Sequence, residues 1–335
     1  MASTSVSAKG RRGKTPPGTT RGAAEQHRRQ LKLRPAGFGW ILPALVLSVG
    51  VIYFCIGYNG FLSTQQNKGG IDGGTFIGLD NYRNALSNPL FWGALKHTLI
   101  FFLVVSLVQI GMGIIFAAML HSKIHLAVVY KVIIFMPFVI APAIMAPVHR
   151  QVFATEGPLN WILTNLKIQW LCDHIGINWV LEHLHLPTVA AQSWLAQTST
   201  SLLVVIGVQI WSTIGFAFIL FYASMGQIEP EMIEAARIDG ATNPRILISL
   251  VVPSVRGTVL ALLILNAITA LKLFDYPYLM TRGGPVYTSD FLGTYIHREA
   301  VTLTNLGYAG ALSILLLILA IGASVVMSLW SRRGE

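Results

Sequence analysis

The sequence has 335 residues, of which 53% are hydrophobic and only 11% are charged, and its formal net charge is +10. A water-soluble domain of ordinary composition carries about twice this charged fraction. The composition therefore excludes an ordinary soluble domain and indicates a protein that crosses a membrane several times.

Residues 1–36 form a basic tail before the first apolar segment. Nine Lys and Arg residues stand there against one acid, Glu25, among many Gly, Ser, Thr and Pro residues, so we predict a disordered tail. No aromatic residue interleaves these charges, which argues against nucleic-acid binding. Basic residues beside a first span instead hold that side of the chain in the cytoplasm.

Six apolar segments follow, each long enough to cross a bilayer, which takes roughly 20 helical residues. They occupy residues 38–61, 93–120, 127–149, 199–225, 254–280 and 308–330. We therefore predict an all-α polytopic membrane protein, with one six-helix domain over residues 37–335. Pro137, Pro142 and Pro147 crowd the third segment and predict a bent or broken helix there.

The basic residues also predict the orientation of the spans. With the N-terminus inside, the internal segments hold 14 Lys and Arg residues and the external loops hold six. Beyond the tail, the internal ones are Lys123, Arg237, Arg245, Arg332 and Arg333. The external ones are Lys68, Arg83, Arg150, Lys167, Arg282 and Arg298. Because basic residues accumulate on the cytoplasmic side, both termini are predicted to be cytoplasmic.

Three external loops separate the spans. The loop 64–89 is rich in Gly and Asn and is predicted to close into a short helix before the second span. The loop 150–198 is predicted to form short helices on the outer face, since tryptophans are typical of the membrane–water boundary. Its tryptophans are Trp161, Trp170, Trp179 and Trp194. The loop 281–307 begins with a Gly-Gly-Pro turn.

The loop 150–198 also contains residues of the types that bind zinc. They are Cys172, His174, His183 and His185. Two histidines only two residues apart suit a strand better than a helix, so ordinary loop histidines are the favoured interpretation and no metal site is predicted. Cys55 and Cys172 are interpreted as two lone thiols, with a disulfide between them as the alternative.

Two polar stripes mark the fourth and fifth spans. The first comprises Gln209, Ser212, Thr213 and Phe216, and the second comprises Asn266, Thr269 and Leu273. Their three- and four-residue spacing places each set on one helix face. Polar groups inside a bilayer either line a wet pathway or hydrogen-bond between helices. The amide, hydroxyl and aromatic groups would suit a hydroxyl-rich solute such as a sugar.

The charged segment 227–253 separates these two spans. Pro230 is placed to start a helix, and Glu231 and Glu234 would lie in its first turns, where the helix dipole favours acids. Gly240 is predicted to end or bend that helix, and a second helix would begin at "NPRI". The resulting helix–turn–helix is too amphipathic to cross a bilayer. It lies either in a protein cleft on the cytoplasmic face or flat on the membrane surface.

The segment carries a motif of Glu-Ala-Ala, then Gly, then two apolar residues flanking one residue before Pro. The matching positions are Glu234, Ala235, Ala236, Gly240, Leu250, Val252 and Pro253. This motif resembles the coupling motif of inner-membrane permease subunits of binding-protein-dependent ABC importers. The segments "FIGLDNY" (76–82), "GPLN" (157–160), "VQIW" (208–211) and "FDYPYLMTRGGP" (274–285) resemble the carbohydrate branch, with its maltose and glycerol-phosphate permeases. Residues 165–190 make one loop longer than is usual in that family.

The resemblance implies a type I ABC importer permease fold in a bacterial inner membrane. It implies a second, homologous permease subunit, two ATP-binding cassette subunits that hold ATP and Mg, and an extracytoplasmic solute-binding protein. The residues implied in coupling to the ATPase are Glu234, Ala235, Ala236, Asp239, Gly240 and Pro253. The two polar stripes would fall where the maltose-type permease contacts sugar.

Other functions are less well supported by the sequence. "GKT" at 13–15 lacks the glycine of a phosphate-binding loop, since position 8 is Ala8, so the chain has no predicted ATP site. No paired carboxylates or nucleophile–base grouping predicts a catalytic site. An ion-coupled transporter would need several intramembrane carboxylates, and Asp275 stands alone. Lys272 would favour a phosphorylated polyol as solute, unless it pairs with Asp275.

Overall fold

The computed structural model describes residues 38–67, 69, 74–121, 125–184 and 187–332. The predicted basic tail, residues 1–36, lies outside these ranges. So do Lys68, Lys123, His185 and Arg333. The chain divides into two compact units, one ending at Gly57 and the other beginning at Tyr58. The packing described below belongs to the second unit.

The described chain is almost entirely helical. Its N-terminal part contains α1 (Phe38–Leu47), a π-helical stretch (Ser48–Tyr53), α2 (Phe54–Ser63), β1 (Gln65–Gln66), β2 (Thr75–Phe76), α3 (Asp80–Ser87) and α4 (Pro89–His121). The middle contains α5 (Ala127–Val139), α6 (Pro142–Val152), α7 (Pro158–Asn165), α8 (Ile168–Ile175), α9 (Ile177–His183) and α10 (Ser201–Met225). The strands β1 and β2 pair antiparallel, with Gln65 opposite Phe76.

The C-terminal part alternates short helices with long ones. It contains α11 (Pro230–Ile238), α12 (Asn243–Ile246), a π-helical stretch (Leu247–Val251), α13 (Val252–Ser254), α14 (Arg256–Leu271), α15 (Asp275–Met280), α16 (Leu292–His297), a π-helical stretch (Arg298–Thr302) and α17 (Leu306–Arg332). The short helices predicted before the second span and in the loop 150–198 are thus present, as α3 and as α7 to α9.

Among the described residues, four to six segments are long and apolar enough to be membrane spans. Four are continuous: Ile41–Ser63, Pro89–His121, Ser201–Met225 and Leu306–Leu329. Two more result if each of two sharply bent helix pairs crosses the membrane as one span, namely α5 with α6, bent by 98°, and Asn243–Ser254 with α14, bent by 68°. The six spans predicted from hydropathy correspond to the case in which both bent pairs cross.

The bend in the third span confirms the prediction from its prolines. Ala141 precedes Pro142 and adopts an extended conformation, with φ −60° and ψ 138°. A residue before proline is pushed out of the helical region because the proline ring clashes with its backbone. Pro142 then opens α6 as its first residue, where the missing N–H costs no hydrogen bond.

The predicted fifth span, 254–280, is not one continuous helix, which corrects the sequence-based boundary. Helix α14 ends at Leu271, and α15 begins at Asp275. Lys272 is the C-cap of α14, and Asp275 stands in the first turn of α15. A cation at a helix C-terminus and an anion at an N-terminus are both favoured by the helix dipole, so the two charges stabilise this break.

The helices of the second unit pack around α4 and α10. One cluster, which we call the coupling-end cluster, joins the second halves of α4 and α10 to the residues before α14 and includes Leu120, Phe221, Met225, Ile246 and Val251. A second cluster joins the first halves of the same two helices to α6, α14 and α15. In lipid such contacts are held by close van der Waals packing, because lipid tails are as apolar as the side chains.

Gly215 allows α10 to approach α5 closely. A Cβ at this position would lie 2.8 Å from the Cα of Phe135 and would also meet the carbonyl oxygen of Ile134. Side-chain and backbone atoms do not approach that closely without displacement. Gly207, on the same helix, has no atom within 4 Å of such a Cβ.

We expect Gly215→Ala to destabilise the fold by about 1–3 kcal/mol, because the added methyl group forces two packed helices apart. Gly207→Ala is the matched control, since it makes the same chemical change on the same helix in open space. The measurement is the midpoint of thermal unfolding in detergent solution. Equal midpoints for the two variants would contradict the close approach of α5 and α10.

Candidate functional site

The charged segment 227–253 folds as the sequence predicted, into a helix, a turn and a second helix. Pro230 is the first residue of α11, and Glu229 before it is extended, with φ −60° and ψ 125°. Glu231 lies in the first turn, and Arg237 lies in the last. Both charges therefore complement the dipole of this short helix.

Gly240 ends α11 through a pair of backbone hydrogen bonds. Its φ is +79°, in the left-handed region that non-glycine residues avoid. Its N–H donates to the carbonyl of Arg237 at 3.0 Å, and the N–H of Ala241 donates to the carbonyl of Ala236 at 2.9 Å. This is the Schellman arrangement, which caps the last carbonyls of a helix and reverses the chain. The prediction that Gly240 ends the helix is confirmed.

One side of α11 packs against the bundle. Ile233 and Ala236 are half-buried against the coupling-end cluster, and so is Ala241 after the turn. The backbone hydrogen bond between Ala241 and Ala236 is also one of the two bonds of the cap. The cap and the packing therefore hold the same two residues in place. Among the predicted coupling residues, Ala236 therefore faces the membrane domain.

The other predicted coupling residues lie on the open side. Glu234, Ala235, Asp239 and Gly240 are exposed, and so is Pro253, which lies in α13 just before the bend into α14. Glu234 and Asp239 form no ion pair or side-chain hydrogen bond with the residues that the structure describes. Their charges are therefore available to a partner.

Two exposed apolar side chains on α11 were not singled out from the sequence. Ile238 is 87% exposed and Met232 is 47% exposed. Ile238 follows Glu234 by four residues and so shares its helix face, a spacing that would have identified it. A bare isoleucine beside an unpaired carboxylate is typical of a surface that another protein covers.

The stripe on α10 faces neighbouring helices. Gln209 and Ser212 are buried, and the hydroxyls of Ser212 and Thr213 both donate to the carbonyl of Gln209, at 2.9 and 2.7 Å. Phe216 stacks on Phe138 of α5, with ring centroids 5.0 Å apart. The stripe is thus on one face, as its spacing predicts.

The stripe predicted on the fifth span is divided between buried and exposed positions. Asn266 is buried in α14, and its Nδ2 donates to Ser106 Oγ of α4 at 3.3 Å. Leu273 lies beyond the end of α14, so it does not share a helix face with Asn266, and it is buried in the cluster around Phe101. Thr269 is exposed and donates to the carbonyl of Leu265 in its own helix.

Helix α4 joins the two stripes. Ser106 bonds to Asn266 of α14, and Gln109 Nε2 donates to the carbonyl of Thr213 of α10 at 2.9 Å. The two α4 residues are three apart and therefore share a face. Gln109 Oε1 is buried and has no hydrogen-bond partner among the described residues. Ser106 was missed from the sequence, because a lone serine in an apolar helix carries no signal of its partner.

The loop 281–307 is held by a buried ion pair. Arg298 Nη1 lies 2.6 Å from Asp290 Oδ2, and Thr294 Oγ1 donates to the other carboxylate oxygen. Burial raises the pKa of the Tyr295 phenol, and a hydrogen bond with Tyr308 raises it further. Burial also raises the pKa of the Glu299 carboxyl, against the opposing effect of Arg298. These groups fix the loop in position.

Of the residues considered for zinc binding, Cys172, His174 and His183 are described by the structure. Cys172 is a buried free thiol, and Cys55 is an exposed one. His174 stacks on Trp170, and the ring of His183 packs at a tilt against Trp179. Among the residues described, no three His, Cys, Asp or Glu side chains are arranged to hold a metal ion.

Several known proteins are similar to this chain over most of its length and most of their own. A probable ABC transporter permease, YurN of Bacillus subtilis (strain 168), is 28% identical over 88% of this chain and 96% of its own length. The trehalose/maltose transport system permease MalF of Thermococcus litoralis is 28% identical over 89% of this chain and 94% of its own. The sn-glycerol-3-phosphate transport system permease UgpA of Agrobacterium fabrum is 25% identical over 84% and 89%.

The fold also matches a solved structure. A chain of a bacterial ABC transporter involved in the import of the acidic polysaccharide alginate superposes with a TM-score of 0.69, at 22% identity, over 93% of this chain and 98% of that one. The family profile described as binding-protein-dependent transport system inner membrane component matches residues 109–333, about two thirds of the sequence. That range contains α11, its glycine turn and both polar stripes, and the chain therefore belongs to the family of binding-protein-dependent transport system inner membrane components.

Proposed function

We propose that this chain is the transmembrane permease subunit of an ATP-driven importer that carries a carbohydrate, an oligosaccharide, delivered by an extracytoplasmic binding protein. The observation that carries the proposal is the geometry of α11. A short charged helix that is packed on one side, capped by a glycine turn and bare on the other side is suited to the cleft of a partner. Family membership and the names of the relatives support the importer class.

The proposed assembly contains a second homologous permease, two ATP-binding cassette subunits and the binding protein, within a bacterial inner membrane. In this assembly, ATP and Mg would be bound by the cassette subunits. Glu234 would meet a basic group of a cassette subunit, while Ile238 and Met232 would fill apolar contacts beside it. The basic residues of the internal segments support cytoplasmic termini.

The solute pathway is proposed to follow the two polar stripes and the face of α4 between them. Gln109 Oε1 supports this, because a buried acceptor without a partner costs about 1–3 kcal/mol unless a solute or a second conformation supplies the bond. The amide and hydroxyl groups of Gln209, Thr213 and Asn266 are neutral and suit sugar hydroxyls. A stripe of neutral groups favours a neutral sugar over an anion.

The alternative solute is a phosphorylated polyol, which the glycerol-phosphate relative and Lys272 support. Lys272 and Asp275 are both exposed, and no ion pair joins them, so the intrachain pairing considered from the sequence is wrong. Lys272 therefore keeps a free charge. An ion-coupled transporter remains without support, since Asp275 is exposed at a helix end.

The solute is tested with the assembled transporter and its binding protein in proteoliposomes. ATP hydrolysis is measured with neutral oligosaccharides and with glycerol 3-phosphate, and equilibrium binding of the same panel to the binding protein is measured separately. We expect a neutral oligosaccharide to bind and to stimulate hydrolysis. Stimulation by glycerol 3-phosphate alone would establish the alternative. If the rate of ATP hydrolysis does not depend on the binding protein, the proposed importer function would be contradicted.

We expect Glu234→Lys and Gly240→Leu to uncouple the chain from its cassette subunits. The Glu234→Lys change would repel a basic group of the partner and should weaken the free energy of binding by about 2–5 kcal/mol. Leucine at Gly240 strains a left-handed backbone by about 1–2 kcal/mol, although the space around it is open. Copurification of the cassette subunits and solute-stimulated hydrolysis are measured, and both should fall while membrane insertion is retained.

Two matched controls accompany these changes. Glu231→Lys reverses an exposed charge on the same helix, three residues away, and should have the smaller effect. Gly240→Asn keeps a residue that adopts the left-handed conformation more readily and should retain coupling. If all four variants insert, retain the cassette subunits and import sugar at the original rate, α11 is only a helix on the membrane surface.

We expect alanine at Gln209, Phe216, Asn266 or Thr269 to weaken uptake without loss of the cassette subunits, because each substitution removes a group from the proposed pathway. The control is Leu203→Ala, which shortens an exposed apolar side chain on α10. Uptake of radiolabelled solute by proteoliposomes is the measurement. If chemical labelling shows that all four positions face lipid, the proposed pathway is contradicted.

We expect deletion of residues 1–30 to leave transport largely intact. Lys32 and Arg34 still flank the first span, and basic residues beside a span favour a cytoplasmic location for that end. Uptake is compared at equal amounts of inserted protein. Complete loss of transport by a stably inserted deletion would show that the tail does more than orient the chain.

A further inference from the structure

The helices α7, α8 and α9 carry large apolar side chains on their outside. Six of them, which we call the tryptophan surface, are each between 58 and 64% exposed: Trp161, Leu166, Trp170, Ile175, Trp179 and Leu184. They are distributed over all three helices and the residues that follow them. Several large apolar side chains exposed within one segment are typical of a contact with a membrane or with another protein.

Polar groups lie inside the same segment. Asn178 is only 6% exposed, and its side chain donates to Asp173 Oδ1 at 2.6 Å and accepts from the N–H of Val189 at 2.7 Å. Asn160 is equally buried and accepts from the indole N–H of Trp194 at 2.7 Å. Trp194 is thus held inside, unlike the other three tryptophans of the loop.

The segment therefore buries two of its amides, Asn160 and Asn178, while six of its large apolar side chains are exposed. A segment surrounded by water places most of its large apolar side chains inside. Lipid removes this preference, because apolar surface that faces lipid is no longer in contact with water. The pattern is partial, since Leu163 and Cys172 are buried and Asn165 and Gln169 are exposed.

The rings on this surface suit the boundary between hydrocarbon and headgroups. The ring centroids of Trp170 and His174 lie 4.6 Å apart in a stacked pair, and those of Trp179 and His183 lie 4.0 Å apart in a tilted pair, so each indole lies beside a polar ring. Such pairs offer an apolar body and a polar edge. The segment 158–184 carries few charges, Lys167, Asp173 and Glu182, so attraction to anionic lipid contributes little.

We propose that the tryptophan surface lies in the interfacial layer of the bilayer, and that α7 to α9 anchor the loop between the third and fourth spans to the membrane surface. The chain on both sides supports lipid as the occupant. Val148 of α6 and Leu203 of α10, which flank the loop along the chain, are exposed apolar residues of the membrane-spanning helices. The loop is thus joined at both ends to helices that expose apolar side chains.

The test uses nitroxide labels on the assembled transporter in nanodiscs of zwitterionic lipid, without binding protein. Cys55→Ser and Cys172→Ala remove the native thiols, and single cysteines replace Trp170 or Trp179. Gln169→Cys is the matched control, since Gln169 is an exposed polar neighbour of Trp170. Collisional relaxation by oxygen, which concentrates in lipid, is compared with relaxation by a water-soluble nickel chelate. The same assembly with the cysteine-free chain gives the background.

We expect both tryptophan positions to favour oxygen, at a depth of about 5–10 Å, and Gln169 to favour nickel. Leu166→Cys adds a third position, at the C-cap of α7, that removes no aromatic ring and should behave like the tryptophan positions. Equal nickel access at the tryptophan positions and at Gln169 would show that the surface faces water. Protection from both reagents would show that a partner subunit covers it. Either result would contradict the proposal that α7 to α9 anchor the loop to the membrane.

Discussion

Inside a bilayer no water is available to bond a free N–H or carbonyl group, so a helix can break only where other protein groups complete its hydrogen bonds. The breaks in this chain follow that constraint. The bend before Pro142 occurs where proline has no N–H to satisfy, and the break after Leu271 is flanked by Lys272 and Asp275, whose charges suit the two helix ends. The reversal at Gly240 is closed by its own two backbone bonds.

The same constraint makes α4 the centre of the polar contacts. Ser106 and Gln109 lie on one face of α4 and bond to different helices, Ser106 to α14 and Gln109 to α10. A span that is otherwise apolar therefore connects the two polar stripes. Hydrogen bonds between membrane helices are individually modest, about 1–2 kcal/mol or less, but they specify which faces meet. The unpaired oxygen of Gln109 is the exception within this arrangement. A transporter that alternates between two states has reason to keep such a bond available.

The coupling-end cluster links this interior to the exposed face of α11. Ile233 and Ala236 hold the helix against the ends of α4 and α10, while Glu234 and Ile238 project from its open side. A rigid base and an unpartnered face together suit a helix that transmits force between a membrane domain and a partner. The helices α7 to α9 are arranged differently, because Asn160 and Asn178 are buried there while the three tryptophans are exposed.

The sequence by itself determined the class of fold, the helix and turn around Gly240 and the short helices of the loop 150–198. These features follow from hydropathy, proline and glycine, whose effects are local to a few residues. Only the tertiary structure decided that Ala236 faces inward, that Trp194 is held by Asn160, that Ser106 and Gln109 connect the stripes, and that Lys272 does not pair with Asp275. Helical spacing places residues on a common face but carries no information about which neighbour that face meets. The choice of neighbour depends on packing between segments as far apart in sequence as Ser106 and Asn266.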